Sequence, residues 1–183
     1  KSYCKINLSL KIIKKLNNGY HSISSLITFC NLHDIISITK TKKKERISFS
    51  GPFKKGINFK ENTVSKALHL LRKNKLLLDK RFIINIKKNI PHGSGLGGGS
   101  SNAASILNYF NNKIKLRRKN MEYLANQIGF DVPISLEKKN TLLTGKKNQI
   151  IRLRRKFKLN ILVVYPNLVC STKKIYHANK VKS

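Results

Sequence analysis

The chain has 183 residues, 40% of them hydrophobic, enough to bury a core and too many for a disordered tail. No apolar run approaches the ~20 residues of a membrane-spanning helix, and the opening KSYCKINLSL has no signal-peptide core. With 39 Lys+Arg against 7 Asp+Glu the formal net charge is +32, which fits either a polyanion-binding surface or a composition-wide excess of lysine.

Taken in chain order, Ile6, Leu8, Leu10 and Ile12 alternate with Lys5, Asn7, Ser9 and Lys11, which predicts a half-buried strand over 4–13 with its polar side chains on one face. A turn follows at Asn17-Asn18-Gly19. Strand patterns return at 35–40, 46–50 and 82–87. Before the last of these, Asn62 is the expected N-cap of a helix that buries Val64, Ala67, Leu68 and Leu71. Residues 91–101, PHGSGLGGGSS, hold five of the ten glycines and run into a helix facing the core with Ala103, Ala104, Leu107 and Phe110. A third helix starts near Asn120, with Met121, Leu124, Ala125 and Ile128 inward and Gly129 at its C-cap. The last expected strand is 161–165. This is a mixed α/β (α+β) chain without internal repeats.

Each glycine in an ordered loop costs conformational entropy, so a strand–glycine loop–helix order needs a physical reason. Anion binding supplies one: a helix N-terminus offers unpaired N–H groups and a positive dipole end, and residues without Cβ let phosphate oxygens approach. Ser100 and Ser101 can cap that helix, donate to a phosphate or reach a Mg²⁺. Gly93-x-Gly95-x-x-Gly98 satisfies the dinucleotide pattern, but no second strand ends in an acid about 20 residues later. A Walker A loop would need a lysine, and none lies between Pro91 and Ser101. Protein-kinase partner motifs are also absent.

The segment Pro91 through Ala104, PHGSGLGGGSSNAA, resembles the P-x-G-x-G-L-G-S/G-S-S signature of the GHMP kinases, a family of small-molecule kinases. Lys5-Ile6-Asn7-Leu8 with Asn18-Gly19-Tyr20-His21 resembles the A-K-L-N-L…D-G-Y-H opening of the branch that acts on a cytidine-diphosphate-linked polyol. Ile128-Gly129-Phe130-Asp131-Val132-Pro133 resembles its I-G-A-D-V-P segment. Tyr165-Pro166 through Ser171-Thr172 and Tyr176 resembles its P-x-x-x-x-P-T…F segment, with Ser171 replacing the proline.

The resemblance implies a GHMP N-terminal fold, which is ribosomal-protein-like, over residues 1–155. It also implies the opening elements of an incomplete C-terminal domain over 156–183, and the missing initial Met leads one to expect a chain trimmed at its start. It implies ATP and Mg²⁺, with ATP held by Pro91, His92, Gly93, Ser94, Gly95, Leu96, Gly97, Gly98, Gly99, Ser100 and Ser101. Asp131 would be the general base and Lys5 would orient it, a division suited to phosphoryl transfer, which asks mainly for positioning and charge stabilisation. Asn7, Tyr20, His21, Thr172 and Tyr176 would hold the cytidyl-polyol substrate.

Other readings stand beside these. Asp131 also suits the N-cap of a short helix entered through Pro133, a reading set second to the general base. Tyr20, His21 and Tyr176 suit half-buried strand or turn positions. The whole chain also fits a basic RNA-binding protein, or a catalytically silent nucleotide binder. His92 and Ser94 replace the usual Met and Gly, and Lys146-Lys147-Asn148 replaces the usual x-G-E. Cys4, Cys30 and Cys170 show neither a disulfide framework nor metal-ligand spacing, so no structural metal and a reducing, cytoplasmic setting are expected. No membrane contact is expected, and nucleic acid only non-specifically through charge.

Overall fold

The computed structural model describes residues 1–15, 21–144, 149–155 and 157–166. In chain order the elements are β1 (Ser2–Lys15), β2 (His21–Thr41), β3 (Arg46–Ser50), α1 (Thr63–Lys73), β4 (Arg81–Lys87), α2 (Gly98–Ile114), α3 (Arg118–Ile128), α4 (Val132–Ser135), β5 (Thr141–Thr144) and β6 (Gln149–Arg152). The sheet runs β3-β4-β2-β5-β6, with β1 also pairing β2. Only the β3–β4 pair is parallel; the others are antiparallel. The α+β class expected from the sequence is the one observed.

The long strand β2 organises the molecule. Its first half pairs β1 on one side and β5 on the other, and its second half pairs β4. Helices α1, α2 and α3 pack against the β2–β4–β3 part. There Phe82, Ile84 and Ile86 point inward at alternate positions and meet Val64, Leu68, Leu71, Leu107 and Phe110. A smaller cluster of Ile27, Ile134 and Leu143 holds α4 against β2 and β5. No helix among the described residues is long and apolar enough to cross a membrane.

The helices follow the pattern read from their spacing. Asn62 caps α1 by accepting from the N–H groups of Val64 and Ser65, and Ser65 returns a bond to the Asn62 N–H. Helix α3 begins at Arg118, slightly before the expected Asn120, and its predicted inward residues are the buried ones. Gly129 is its C-cap, with extended backbone, donating its N–H to the Ala125 carbonyl.

Two strand expectations need correction. In β1 the expected alternation fails: Lys5 is only 5% exposed, whereas Leu8 and Leu10 are 38% and 46% exposed, and Ser9 and Lys11 are exposed as well. Register shifts between Tyr3/Lys5, Asn7/Ser9 and Ile12/Lys14 break the two-residue alternation. Residues 161–165 form no strand, because an apolar run becomes one only where a neighbouring ladder accepts it, and none does among the described residues. The first half of β2, β5 and β6 had no sequence expectation at all. The predicted turn at 17–19 lies outside the described residues.

Candidate active site

The glycine loop leaves β4 through Lys88, Asn89 and Ile90, and this exit is fixed from below. Asp34 of β2 is fully buried; one carboxylate oxygen accepts from the N–H groups of Asn89 (2.7 Å) and Ile90 (2.8 Å). The other accepts from the Lys88 ammonium and from Asn102 Nδ2 of α2 (3.0 Å). Lys88 is buried too, so each charge is matched by its partner and the carboxylate's remaining lone pairs are used. One aspartate thus ties the strand before the loop to the helix after it. Sequence reasoning missed this network; its only local signal was a charged residue inside an otherwise strand-like stretch.

Within the loop Gly93, Gly95 and Gly97 take positive φ values of 68°, 76° and 66°, whereas His92 and Ser94 do not. Left-handed glycines alternating with ordinary residues turn successive N–H groups toward one concave side, a geometry suited to anions. Helix α2 then starts at Gly98 with Gly97 as N-cap and no side-chain cap. The capping expected of Ser100 and Ser101 is therefore absent, since both already lie in the first helical turn. Ser101 donates its N–H to the Gly97 carbonyl and its hydroxyl to Ser135 Oγ (3.3 Å). The first N–H groups of α2 are left to an outside acceptor. Gly99 is tied sideways, its carbonyl accepting from Thr63 Oγ1 at 2.7 Å.

Lys5 reaches this loop from β1. Its N–H donates to the Leu96 carbonyl at 3.0 Å, and its ammonium lies 3.3 Å from Asp131 Oδ2 and 3.0 Å from Asn7 Oδ1. Asn7 Nδ2 donates to Ser25 Oγ (2.7 Å), which donates to the Ser9 carbonyl (2.6 Å). This chain of partners explains how Lys5 can be buried although it belongs to the polar set of β1. Asp131 occupies the N-cap position of α4, yet its side chain makes no capping bond and is 44% exposed. Its carboxylate presents one oxygen region to Lys5 and the rest to the open side.

Helix α4, which carries Asp131, is held by Arg152 of β6. The guanidinium donates to the carbonyls of Pro133 (2.8 Å) and Ile134 (2.7 Å) and to Thr141 Oγ1 (2.8 Å). It thereby satisfies carbonyls that a four-residue helix leaves unpaired. Burial pulls the Arg152 pKa below its ordinary value, more than the nearby Glu137 charge restores. Glu137 is in turn held below the usual carboxylate range, first by its bond with Lys139 and then by the charges of Arg152, Lys139 and Arg118. In the sequence Arg152 was one basic residue among many.

The expected site residues therefore divide. Lys5, Asn7, Asp131 and the loop Pro91–Ser101 come together. His21 pairs with Lys15 in the β1–β2 ladder, far along the strands from Lys5, which pairs with Phe29. Tyr20, Thr172 and Tyr176 lie outside the described residues.

Comparison with known proteins bears on this arrangement. Residues 62–139, which run from the α1 cap through the loop to α4, match the family described as GHMP kinases N terminal domain. Over 96% of its length the chain is 44% identical to a 4-diphosphocytidyl-2-C-methyl-D-erythritol kinase of Pelagibacter ubique, of which it covers 63%. It is 32% identical to the protein of the same name from Petrotoga mobilis, covering 96% of this chain and 67% of that one. The chain belongs to the GHMP kinase family. A crystal structure of 4-(cytidine 5'-diphospho)-2C-methyl-D-erythritol kinase superposes on this GHMP kinase chain with a TM-score of 0.66 at 27% identity, covering 83% of this chain and 53% of that one. The chain thus spans less than two thirds of the Pelagibacter relative, and Lys5, Asn7 and His21 precede the family segment.

Proposed function

We propose that this chain is the ATP-binding part of a kinase that phosphorylates a hydroxyl of 4-diphosphocytidyl-2-C-methyl-D-erythritol, a step in making isoprenoid precursors. The observation that carries the reading is the 3.3 Å approach of Lys5 Nζ to Asp131 Oδ2, on a strand hydrogen-bonded to the glycine loop at Leu96. Asp131 takes the proton of the acceptor hydroxyl, and Lys5 orients that carboxylate and stabilises negative charge beside it. Asn7 fixes the lysine.

The residues present fit a nucleotide triphosphate. Alternating left-handed glycines are the backbone pattern that aims N–H groups at an anion, and the start of α2, without a side-chain cap, adds its dipole end. Pro91 through Ser101 hold the phosphates in this reading. A Mg²⁺ ion bound together with ATP would supply charge neutralisation at the phosphates, within reach of Ser100 and Ser101 at the start of α2 in this reading. We assign the ATP-binding unit to residues 1–155 and residues 156–183 to a second unit. His21, far along the β1–β2 ladder from Lys5, serves the cytidyl side of an elongated substrate in this reading, and the sequence motifs assign Tyr20, Thr172 and Tyr176 to the same part of the substrate.

The test is phosphoryl transfer from ATP to 4-diphosphocytidyl-2-C-methyl-D-erythritol by this chain and by Asp131→Asn. A loss of ~10²–10⁴ in kcat is expected for a missing general base. No transfer by the unsubstituted chain overturns the activity; transfer unaffected by the substitution overturns the role of Asp131.

A further inference from the structure

Two thiols stand beside the site and take no part in that chemistry. Cys4 Sγ lies 2.6 Å from Cys30 Sγ across the β1–β2 ladder, and both cysteines are free. Cys4 is completely buried and Cys30 is partly exposed. They meet at a break in register: Tyr3 pairs with His33 and Lys5 with Phe29, so Cys4 alone faces the stretch 30–32 of β2. Such irregularities re-aim side chains that a regular ladder would keep apart.

We propose that Cys30 and Cys4 form a dithiol–disulfide couple, in which Cys30 reacts with a small-molecule disulfide of the oxidised-glutathione type and Cys4 resolves the product. The Cys30 thiolate attacks one sulfur of the small disulfide; that S–S bond breaks, one small thiolate leaves, and a mixed disulfide forms on Cys30. Cys4 then loses its proton and attacks Cys30 Sγ, breaking the mixed disulfide and expelling the second small thiolate. Two protein thiols are oxidised to one disulfide, one small disulfide is reduced to two thiols, and the two protons end on the released thiolates.

Exposure sets the order, since Cys4 is completely buried and Cys30 is partly exposed. A disulfide needs its sulfurs at about 2.05 Å, so closure asks for a movement of only a fraction of an ångström. Burial first, and then the hydrogen bond and charge of Cys30, push the Cys4 thiol up to about 12, which makes resolution the slow step. Cys4 immediately precedes Lys5, so oxidation ties β1 to β2 next to the ammonium that meets Asp131. The couple stands independently of the kinase reading, because its formation is read chemically.

The experiment incubates the full chain with graded ratios of reduced to oxidised glutathione, quenches with acid, alkylates, digests and maps the peptides by mass spectrometry. The expected product is a Cys4-to-Cys30 linked peptide lighter by two hydrogens, reversed by dithiothreitol, retained in Cys170→Ser and absent from Cys30→Ser. Cys4 and Cys30 both alkylated at the most oxidising ratio overturns the proposal. So does a mixed disulfide that persists on Cys30 while Cys4 is alkylated, or a link in which Cys170 replaces either partner. The unsubstituted chain decides each of these outcomes, whatever the variants' stability.

Discussion

The stem of Lys5 lies across the spot where a side chain on Gly97 would begin. A Cβ at Gly97 would stand 2.7 Å from Lys5 Cγ, 3.1 Å from Cε and 3.2 Å from Cδ, while the Lys5 N–H is bonded to the neighbouring Leu96 carbonyl. The lysine and the loop are therefore one packed unit, and Gly97, at φ 66°, is required both by its backbone and by its neighbour.

Gly97→Ala is expected to cost ~1–2 kcal/mol through the left-handed backbone alone and, by displacing Lys5, to lower kcat by about 10²-fold. Gly95→Ala is the matched control: φ is 76° and a Cβ there meets nothing within 4 Å. It should show a smaller fall in Tm, from the backbone alone, and a much smaller loss of kcat. Thermal melts and single-turnover rates on both variants check this; equal kinetic losses would dissolve the link between Gly97 and Lys5.

Lys5→Met should separate stability from activity. A buried ammonium carries a desolvation cost that an apolar side chain of similar length does not, and the carboxylate left behind at Asp131 is 44% exposed and can be solvated. The expected outcome is an unchanged or raised Tm with kcat reduced by at least ~10². A variant that unfolds at lower temperature than the parent would show that the ion pair is a structural prop instead.

Beneath the loop, Asp34 accepts from four donors: Lys88 Nζ, the N–H groups of Asn89 and Ile90, and Asn102 Nδ2. Asp34→Ala leaves the Lys88 ammonium buried without its counter-charge, for which ~3–5 kcal/mol is expected. Urea unfolding should register it as a lowered midpoint. A change within ~0.5 kcal/mol, typical of a surface site, would exclude this network as the support of the loop.

The Glu137 carboxyl, held below its ordinary value by Lys139, Arg152 and Arg118, predicts a pH signature. Because its folded-state pKa is depressed, its stabilisation is complete above the unfolded value of ~4.3 and disappears as pH falls through the folded-state value. Glu137→Gln should therefore melt below the parent at pH 7, with the two curves converging in the acid range below ~4.3. The difference also reports on Arg152, whose buried Nε has no hydrogen-bond partner and lies 3.7 Å from Glu137 Oε1. A gap that persists unchanged at the acid end would assign the effect to packing.

The sequence by itself determined the helices and the loop. Val64, Ala67, Leu68 and Leu71, or Met121, Leu124, Ala125 and Ile128, are buried as their spacing requires, because helical periodicity is set within one turn by neighbours in the chain. The density of glycine between Pro91 and Gly99 likewise marked the loop, because only residues without Cβ take its positive φ angles at no steric cost. Strands were less legible, since a strand's face and even its existence depend on a partner distant in sequence. Lys5 turned inward against its pattern, the apolar run at 161–165 formed no ladder, and the four-residue strands β5 and β6 carried no pattern long enough to read. The pairing of Lys5 with Asp131 was legible only through motif resemblance, and only the tertiary structure decided that Asp34 holds the base of the loop, that Arg152 braces α4 and that Cys4 meets Cys30. Each of these is a contact between elements, and a pairing of two polar side chains leaves no periodic trace in either segment.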